Sequence, residues 1–418
     1  MAALRQLLRR HLSTSAAAIL SPSDPSAILT SYQKSRAALS LLRSSPSLTA
    51  DHILSICRSA ALSPTIHLDR LALSVAVSSL SKKPDSAPTL RSLIDGLPNS
   101  PRSLSHSIVL YGQANLLDDA LRLFTSISSP TVRHLNALLF ACILSGNHQE
   151  AARIFRDFPV QYNITPNLET YNTIIKSFCE SGYSRSVFSV LDEMLRKNIK
   201  PNLTTFTHWL SGLYKDQRFD DVPKVLQLMK KNDSHPGALS VYNVRIHGLC
   251  KLGKPAEAKE LFKQMVRNGM KANWVTYGHM IYGFAKEGDL EESKKLYKEM
   301  MSKGCTPDSS CHFTLMHYLC VGGDFDAALE VCKESMKRDW IPGFKTMKML
   351  VDGLVSKSKV EEAKEIIGKV KEKFSSNSDM WKEVEEALPH KTYITNMILQ
   401  EDFKGLFAVE TATQLLYH

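Results

Sequence analysis

Residues 168–202 read LETYNTIIKSFCESGYSRSVFSVLDEMLRKNIKPN, and residues 239–273 read LSVYNVRIHGLCKLGKPAEAKELFKQMVRNGMKAN. Both stretches are 35 residues long, carry Tyr-Asn at the fourth and fifth places, and end on Asn. Residues 203–238 and 274–308 keep nearly the same spacing. All four stretches have a Met at the twenty-seventh place, namely Met194, Met229, Met265 and Met300. A fixed period of this length is typical of a solenoid, in which each repeat buries its apolar face against its neighbours.

The apolar residues of one such repeat, residues 274–308, follow a helical period twice. The first set is spaced i, i+3, i+4 and i+7 and comprises Tyr277, Met280, Ile281 and Phe284. This spacing places the four side chains on one face of a helix. Gly288 then marks a turn, and the period resumes from Leu290 to Met300. Each repeat is therefore predicted to be a pair of antiparallel helices.

The repeats predict an all-α protein, an α-solenoid of about eight or nine helical pairs. The array is predicted from residue 101 to residue 378 as about seven to eight repeats. Their expected bounds are 101–131, 132–167, 168–202, 203–238, 239–273, 274–308, 309–343 and 344–378. Residues 37–100 are predicted to hold divergent helical repeats, and residues 379–418 capping helices or a tail. Terminal repeats differ because they must present a polar outer face.

Residues 1–36 differ in composition from the repeats. They carry five basic residues against one acidic residue, Asp24, and they are rich in Ser and Ala. A basic, Ser-rich start with leucines at helical spacing is typical of a cleaved mitochondrial transit peptide. The alternatives are a chloroplast transit peptide and a basic tail that contacts RNA. Cleavage is expected between Ser13 and Ala37.

The chain has 418 residues and a net charge of +10, with a pI near 9.1. This charge predicts an anionic partner, nucleic acid first and an acidic membrane or protein surface second. No apolar run reaches the roughly 18 residues of a membrane span, so membrane insertion is not expected. No Cys-x-x-Cys occurs, and Cys179, Cys250 and Cys320 share one place in their repeats. The cysteines are predicted to be core residues, with no metal site, disulfide framework or cofactor.

With these features the chain resembles the pentatricopeptide-repeat family, in particular its pure-repeat members from plant organelles. The resemblance rests on the Tyr-Asn openings, the mid-repeat Gly, the recurrent Met, the terminal Pro-Asn or Pro-Asp, and an Ala at the twentieth place. That Ala is found as Ala120, Ala151, Ala258, Ala328 and Ala363. The resemblance implies a right-handed superhelix whose first helices line the concave groove. It also implies that the partner is RNA, with one base read per repeat.

By the same resemblance, the fifth and last residues of each repeat read a base, and the second residue wedges between neighbouring bases. The predicted base-reading residues are Asn136, Asn167, Asn172, Asn202, Thr207, Asn243, Asn273, Gly278 and Asp308. Gly278 and Phe313, both at the fifth place, depart from the family pattern. Among the base-wedging positions only Val275 conforms, and Glu169 is unfavourable beside a phosphate chain. The alternative for the Asn residues is a purely structural role, as caps or bridges between helices.

A group of basic residues recurs on the predicted second helices. Its members are Lys259, Lys263, Arg267, Lys294, Lys295, Lys298, Lys333, Lys337 and Arg338. The family geometry implies that they face outward and form a convex basic ridge, which could contact structured RNA. Interleaved Glu residues can pair with them at i,i+4, so a solvated, ion-paired face is the alternative.

No catalytic constellation is recognisable in the sequence. The histidines form no ligand set, no Gly-rich phosphate loop occurs, and the C-terminal segment lacks the signatures of a zinc deaminase or a metal-dependent nuclease. The protein is therefore predicted to be a non-catalytic RNA-binding protein without a small-molecule substrate. The leading hypothesis is association with the mitochondrial ribosome, with contacts to rRNA or mRNA and to ribosomal proteins. A free transcript-specific factor and a protein-binding scaffold are the alternatives.

Overall fold

The computed structural model describes Leu20 and residues 30–386, except residues 45–47, 65, 339, 341 and 374–377. Within this part the regular structure consists of twenty-one α-helices and two short 3-10 turns, without a strand. The predicted all-α class is confirmed. Most of the predicted transit peptide and the tail beyond residue 386 lie outside the described residues, so those two assignments stay predictions.

The chain divides into two compact units between Ala272 and Asn273. The helices of the first unit are α1 (Ser31–Ser44), α2 (Ala50–Ala60), α3 (His67–Leu80), α4 (Ala87–Asp95), α5 (Pro101–Gln113), α6 (Leu117–Thr125), α7 (Val132–Leu144), α8 (His148–Gln161), α9 (Leu168–Glu180), α10 (Val187–Arg196), α11 (Leu203–Lys215), α12 (Val222–Lys231), α13 (Leu239–Lys251) and α14 (Pro255–Arg267). Those of the second unit are α15 (Trp274–Lys286), α16 (Leu290–Ser302), α17 (Ser309–Val321), α18 (Phe325–Met336), α19 (Phe344–Ser356), α20 (Val360–Lys373) and α21 (Ser378–Glu386).

The helices alternate in role along the chain. In the first unit the first helix of each pair packs against the first helix of the next pair, in the order α5, α7, α9, α11 and α13. The second helix of each of these pairs packs against the first helix of the same pair. The second unit repeats this arrangement with α15, α17 and α19 as first helices. The predicted solenoid of stacked helical hairpins is therefore confirmed within each unit.

One backbone conformation fixes the turn inside each pair. The fifteenth residue of the repeat lies in the left-handed region, as in Gly182 (φ 85°) and Gly288 (φ 86°). The same place keeps a positive φ where Gly is missing, at Asn115 (φ 59°), Gln217 (φ 55°) and Ser358 (φ 60°). A side chain in this region costs roughly 1–2 kcal/mol, which explains why Gly is preferred there.

Neighbouring first helices approach each other closely near their C-terminal ends. A Cβ added to Gly112 on α5 would lie 2.4 Å from Cα of Ala141 on α7. A Cβ on Gly248 of α13 would lie 2.5 Å from Cβ of Tyr214 on α11. Within the first unit these contacts bring the first helices together into a wall, so that side chains at equivalent places form rows with one member per repeat.

The array extends further toward the N terminus than predicted. The described residues contain ten helical pairs followed by α21, which is one or two pairs more than expected. The predicted boundary at residue 36 lies inside α1, where Ser35, Ala37 and Ala38 are buried and α1 packs on α2 and α3; the cleavage site stays a prediction. The basic residues of this segment resemble a leader in composition, whereas the small residues between them form a packed helical face.

All eight cysteines are free, and all except the partly exposed Cys305 are buried, as predicted for core residues. Burial raises the pKa of the thiols of Cys142 and Cys179 to about 12, so both stay protonated at neutral pH and act as small apolar residues. The described residues contain no cluster of three or more side chains suited to a metal ion. They also include no helix long and apolar enough to cross a membrane.

Candidate nucleic-acid interface

A hydrogen-bonded network joins the fifth residue of one repeat to the start of the next. Asn136 on α7 donates from Nδ2 to Oδ1 of Asn167, at 3.2 Å, in the loop before α9. The same Oδ1 accepts the backbone N–H of Thr170 at 3.0 Å and so caps α9. The hydroxyl of Thr170 donates to Oδ1 of Asn136 at 2.6 Å. The structure therefore brings together the two residues predicted to read one base.

The next repeat builds the same network from equivalent residues. Asn172 donates from Nδ2 to Oδ1 of Asn202 at 3.4 Å, and Asn202 caps α11 by accepting the N–H of Thr205 at 3.1 Å. The hydroxyl of Thr205 donates to Oδ1 of Asn172 at 2.6 Å. Because two consecutive junctions share this geometry, it is a property of the repeat. The capping role considered as the alternative from sequence is therefore present.

Each network fixes the orientation of its amides. A backbone N–H can only donate, so the atom of Asn202 that accepts from Thr205 is Oδ1, and Nδ2 of Asn202 points away from the cap. Asn172 must then offer Nδ2 to Asn202. The described structure gives Nδ2 of Asn202 no partner, and both Asn side chains are partly exposed. The accessible edge is therefore rich in donors and complements base edges rich in acceptors, such as the carbonyl oxygens of pyrimidines.

The remaining predicted base-reading positions lie at the other junctions. Asn273 caps α15 by accepting the N–H of Thr276 at 3.0 Å, and Asp308 caps α17 by accepting the N–H of Cys311 at 2.8 Å. Asn243, in the first unit, is only 9% exposed. Two further positions offer no amide: Thr207 donates its hydroxyl to the carbonyl of Thr204, and Gly278 has no side chain.

The second residue of each repeat is solvent-facing rather than packed. Those that are exposed are Arg133, Glu169, Thr204, Ser240, Ser310 and Lys345. Val275 is partly buried. The apolar wedge expected from the family pattern is thus limited to one repeat, and the exposed Glu169 places a negative charge on the wall that an RNA chain would approach.

The predicted ridge residues fall into two groups. Several are engaged in ion pairs, in which Lys263 contacts Glu260, Lys294 contacts Glu291 and Asp324, Lys333 contacts Glu365, and Lys337 contacts Glu334. Arg338 lies over the ring of Trp340 at 5.6 Å. In contrast, Arg267, Lys295 and Lys298 are exposed and form no ion pair within the described part of the chain. The ion-paired alternative therefore applies to part of the ridge.

Three lysines that the sequence reasoning missed lie at the same place on successive first helices, two in the first unit and one in the second. Lys215, Lys251 and Lys286 occupy the thirteenth place of three consecutive repeats, and all three are exposed. On a helix the fifth, ninth and thirteenth places are one turn apart, so these side chains lie on the same face as the base-reading positions. The signal that could have found them is the period of the repeat, applied to charge as well as to apolar residues.

Two histidines on the first helices of the first unit are held neutral. Burial lowers the pKa of His208, and the nearby Lys176 lowers it further. Burial also lowers the pKa of His247, with Lys251 adding to the effect. At neutral pH these imidazoles can accept or donate hydrogen bonds, but they add no positive charge to the wall.

Protein-family models match the chain along most of its central repeats. The PPR repeat family matches residues 166–215, 237–286 and 272–312. A pentatricopeptide repeat domain matches residues 129–181, and the PPR repeat matches residues 204–234. These ranges include both junctions at which the Asn networks form.

Full-length relatives agree with these matches. A mitochondrial pentatricopeptide repeat-containing protein of Arabidopsis thaliana is 46% identical over 86% of this chain and 91% of its own length. A second Arabidopsis protein of that description is 31% identical over 81% of this chain and 82% of its own length. The Arabidopsis protein named small ribosomal subunit protein mL103 is 30% identical over 72% of this chain and 75% of its own length.

The chain therefore belongs to the pentatricopeptide-repeat family. Within this family it is a plant organellar member, and like the relatives that are named mitochondrial it is a mitochondrial protein.

Proposed function

We propose that this protein is a non-catalytic RNA-binding component of mitochondrial gene expression that works in association with the mitochondrial ribosome. There it would contact rRNA or mRNA together with ribosomal proteins. The observation that carries RNA binding is the pair of Asn networks at Asn136–Asn167 and Asn172–Asn202, which repeat with the same hydrogen bonds. Each holds amide groups in a fixed orientation, at the spacing of one repeat.

The small number of Asn pairs favours a particle-bound role over a solitary one. Three bases, one for each Asn pair in the sequence (Asn136–Asn167, Asn172–Asn202 and Asn243–Asn273), would supply about 3–9 kcal/mol at about 1–3 kcal/mol each. A nanomolar complex requires about 12 kcal/mol. The remaining binding free energy must come from other contacts, and a large ribonucleoprotein provides them through its phosphates and its proteins. The exposed lysines Lys215, Lys251 and Lys286, at one per repeat, suit such phosphate contacts.

The similarity to small ribosomal subunit protein mL103 supports the same proposal, because it covers about three quarters of both chains. The second candidate is a free factor that binds one transcript. It is favoured by the identical geometry of two consecutive base-reading networks, which would read two adjacent nucleotides in register. A protein-binding scaffold is the third possibility, and the sedimentation experiment below separates it from the other two.

Sedimentation of a mitochondrial lysate tests the proposal. The tagged full-length protein is expected to sediment with a ribosomal subunit through moderate salt and to leave that fraction after RNase treatment. Recovery only in the light fractions would support the free transcript factor. Sedimentation in a heavy, RNase-resistant complex free of ribosomal proteins would support the scaffold. Either result would overturn ribosome association.

Direct RNA binding is tested with a pair of variants that separates reading from capping. Asn202→Asp keeps an oxygen to cap α11 and removes the Nδ2 donors, so helix stability is expected to be unchanged while affinity for pyrimidine-rich single-stranded RNA falls about tenfold. Asn202→Ala removes both functions. If Asn202→Asp binds such RNA as the wild type does, base reading by this junction is refuted.

A further inference from the structure

The first helices of the second unit carry aromatic residues to which the base-reading pattern gives no role. Tyr282 occupies the ninth place of α15, and His317 occupies the ninth place of α17, followed by Tyr318. The ring centroids of Tyr282 and Tyr318 are 6.4 Å apart, with the rings inclined at 67°. Those of His317 and Tyr318 are 5.3 Å apart at 70°. All three side chains are partly exposed.

The inclined arrangement leaves ring faces open. In an edge-to-face contact one ring presents its edge to the face of the other. The faces of the first ring therefore stay uncovered by this contact, whereas stacked rings cover one face of each other. The first unit offers a contrast at the same place of the repeat. There the ammonium group of Lys176 lies 5.4 Å from the centroid of the Phe140 ring and occupies one of its faces.

The polar ends of the cluster are also unused. Neither the hydroxyl of Tyr282 nor the imidazole of His317 has a hydrogen-bond partner within the described structure. A Tyr that serves only the core is normally buried with its hydroxyl satisfied. Tyr277, at the fourth place of the same repeat on α15, is such a residue: it is 0% exposed and donates to Glu299 at 3.1 Å.

The position of the rings matches the place where base reading fails. The fifth and ninth places are one helical turn apart and share a face. In these two repeats the fifth place holds Gly278 and Phe313 rather than an amide, so no Asn network can form. A Cβ on Gly278 would meet nothing within 4 Å, which leaves open space beside the Tyr282 side of the helix.

We propose that Tyr282 and His317 are stacking sites for unpaired bases of single-stranded RNA, so that the second unit holds RNA by stacking while the first unit reads bases through its Asn networks. The proposal rests on the RNA-binding function proposed above. Stacking is tolerant of sequence because every base has a π-face. The second unit would therefore contribute affinity without selecting among bases.

The test uses the full-length protein and short single-stranded oligoribonucleotides that carry 2-aminopurine, whose fluorescence is quenched by stacking. Tyr282→Leu combined with His317→Leu keeps apolar volume but removes both flat rings. Tyr282→Phe keeps the ring and loses the hydroxyl. Tyr183→Leu is the matched control, since Tyr183 is 59% exposed on a hairpin turn of the first unit. Circular dichroism melts verify that each variant is folded.

The double variant is expected to bind about tenfold more weakly to oligouridine and to oligoadenine alike, and to lose the quenching. Tyr282→Phe and Tyr183→Leu are expected to bind within about twofold of the wild type. Wild-type affinity and quenching in the double variant would overturn the stacking proposal. The alternative is that the rings stack against an arginine of a protein partner. In that case the double variant will bind RNA as the wild type does but will dissociate more readily from ribosomal fractions, and this result would also refute the stacking proposal.

The outcome is distinguishable from failure of the proposed function. A wild-type protein that binds no RNA at low salt removes the basis for both proposals. If the wild-type protein binds RNA, the Asn202→Asp variant binds it more weakly and the ring variants bind it as the wild type does, only the stacking proposal is refuted.

Discussion

Replacing Gly112 with Ala tests whether the close approach of first helices determines the stability of the first unit. The new Cβ would lie 2.4 Å from Cα, 2.5 Å from Cβ and 2.7 Å from O of Ala141. Ordinary carbon–carbon contacts are about 3.5–4 Å. Two of these three atoms belong to the backbone, so a rotamer change cannot relieve the overlap, and α5 and α7 must separate by about 1 Å.

The expected loss follows from two opposing terms. Overpacking of this kind costs about 1–3 kcal/mol. The higher helix propensity of Ala returns about 1 kcal/mol. Gly112→Ala is therefore expected to lower the free energy of unfolding by up to about 2 kcal/mol, because the steric term is the larger one over most of its range.

The matched control is Gly278→Ala. Gly278 also lies within a first helix, but a Cβ there meets nothing within 4 Å, so only the propensity term applies and stability should rise by up to about 1 kcal/mol. Urea unfolding followed by circular dichroism measures both variants. If Gly112→Ala is as stable as Gly278→Ala, the close contact is not what holds these helices together. Ala141→Gly in the Gly112→Ala background should restore little, because Cα of Ala141 stays in place.

Three further predictions concern single positions. Gln217→Gly removes a side chain from left-handed backbone and should raise the free energy of unfolding by up to about 1 kcal/mol in urea; an unchanged or lower midpoint would contradict this. Gly278→Asn places an amide at the fifth place of the repeat that ends at Asp308, and it should strengthen binding of a suitable oligoribonucleotide about tenfold by fluorescence anisotropy; equal affinity across all single-base variants would argue against a reading role. Burial opposes ionisation of Asp119, but Arg91 and a second arginine more than offset it and hold the pKa of Asp119 below its usual range. Its contribution to stability is thus present above the unfolded-state pKa and lost as pH falls through the folded-state pKa, so Asp119→Asn should melt at a lower temperature at neutral pH and converge with the wild type in acid.

The repeat pattern predicted the fold well because its signals are physical requirements that recur. The fifteenth residue must adopt positive φ, so Gly appears there often enough to set the register. The apolar places define one buried face per helix, and Met194, Met229, Met265 and Met300 are all 0% exposed. In a solenoid each repeat contacts its neighbours alone, so a local pattern determines the packing without long-range information.

The features that sequence could not supply depend on neighbours across a junction. The sequence identified Asn172 and Asn202 as a pair, but the hydroxyl of Thr205 that orients both amides belongs to the following repeat. The ion pairs of the ridge likewise include Lys294 with Asp324 from the next pair of helices. Sequence could not place the start of α1, because this helix is rich in Ser and Ala, which weakens an apolar period, while its charges resemble those of a leader.

Capping and the proposed base reading draw on different atoms of the same amide. Oδ1 of Asn202 accepts the N–H of Thr205 whether or not RNA is bound, and this leaves Nδ2 to face outward. Turning the amide to offer its oxygen to a base would break the cap at a cost of about 1 kcal/mol. The donors are therefore held in place before RNA arrives, and this preorganisation reduces the entropy lost on binding. An Asp at the last place, such as Asp308, keeps the cap but has no donor. Under the proposed base reading, repeats that end in Asn and repeats that end in Asp are therefore expected to prefer different base edges while folding in the same way.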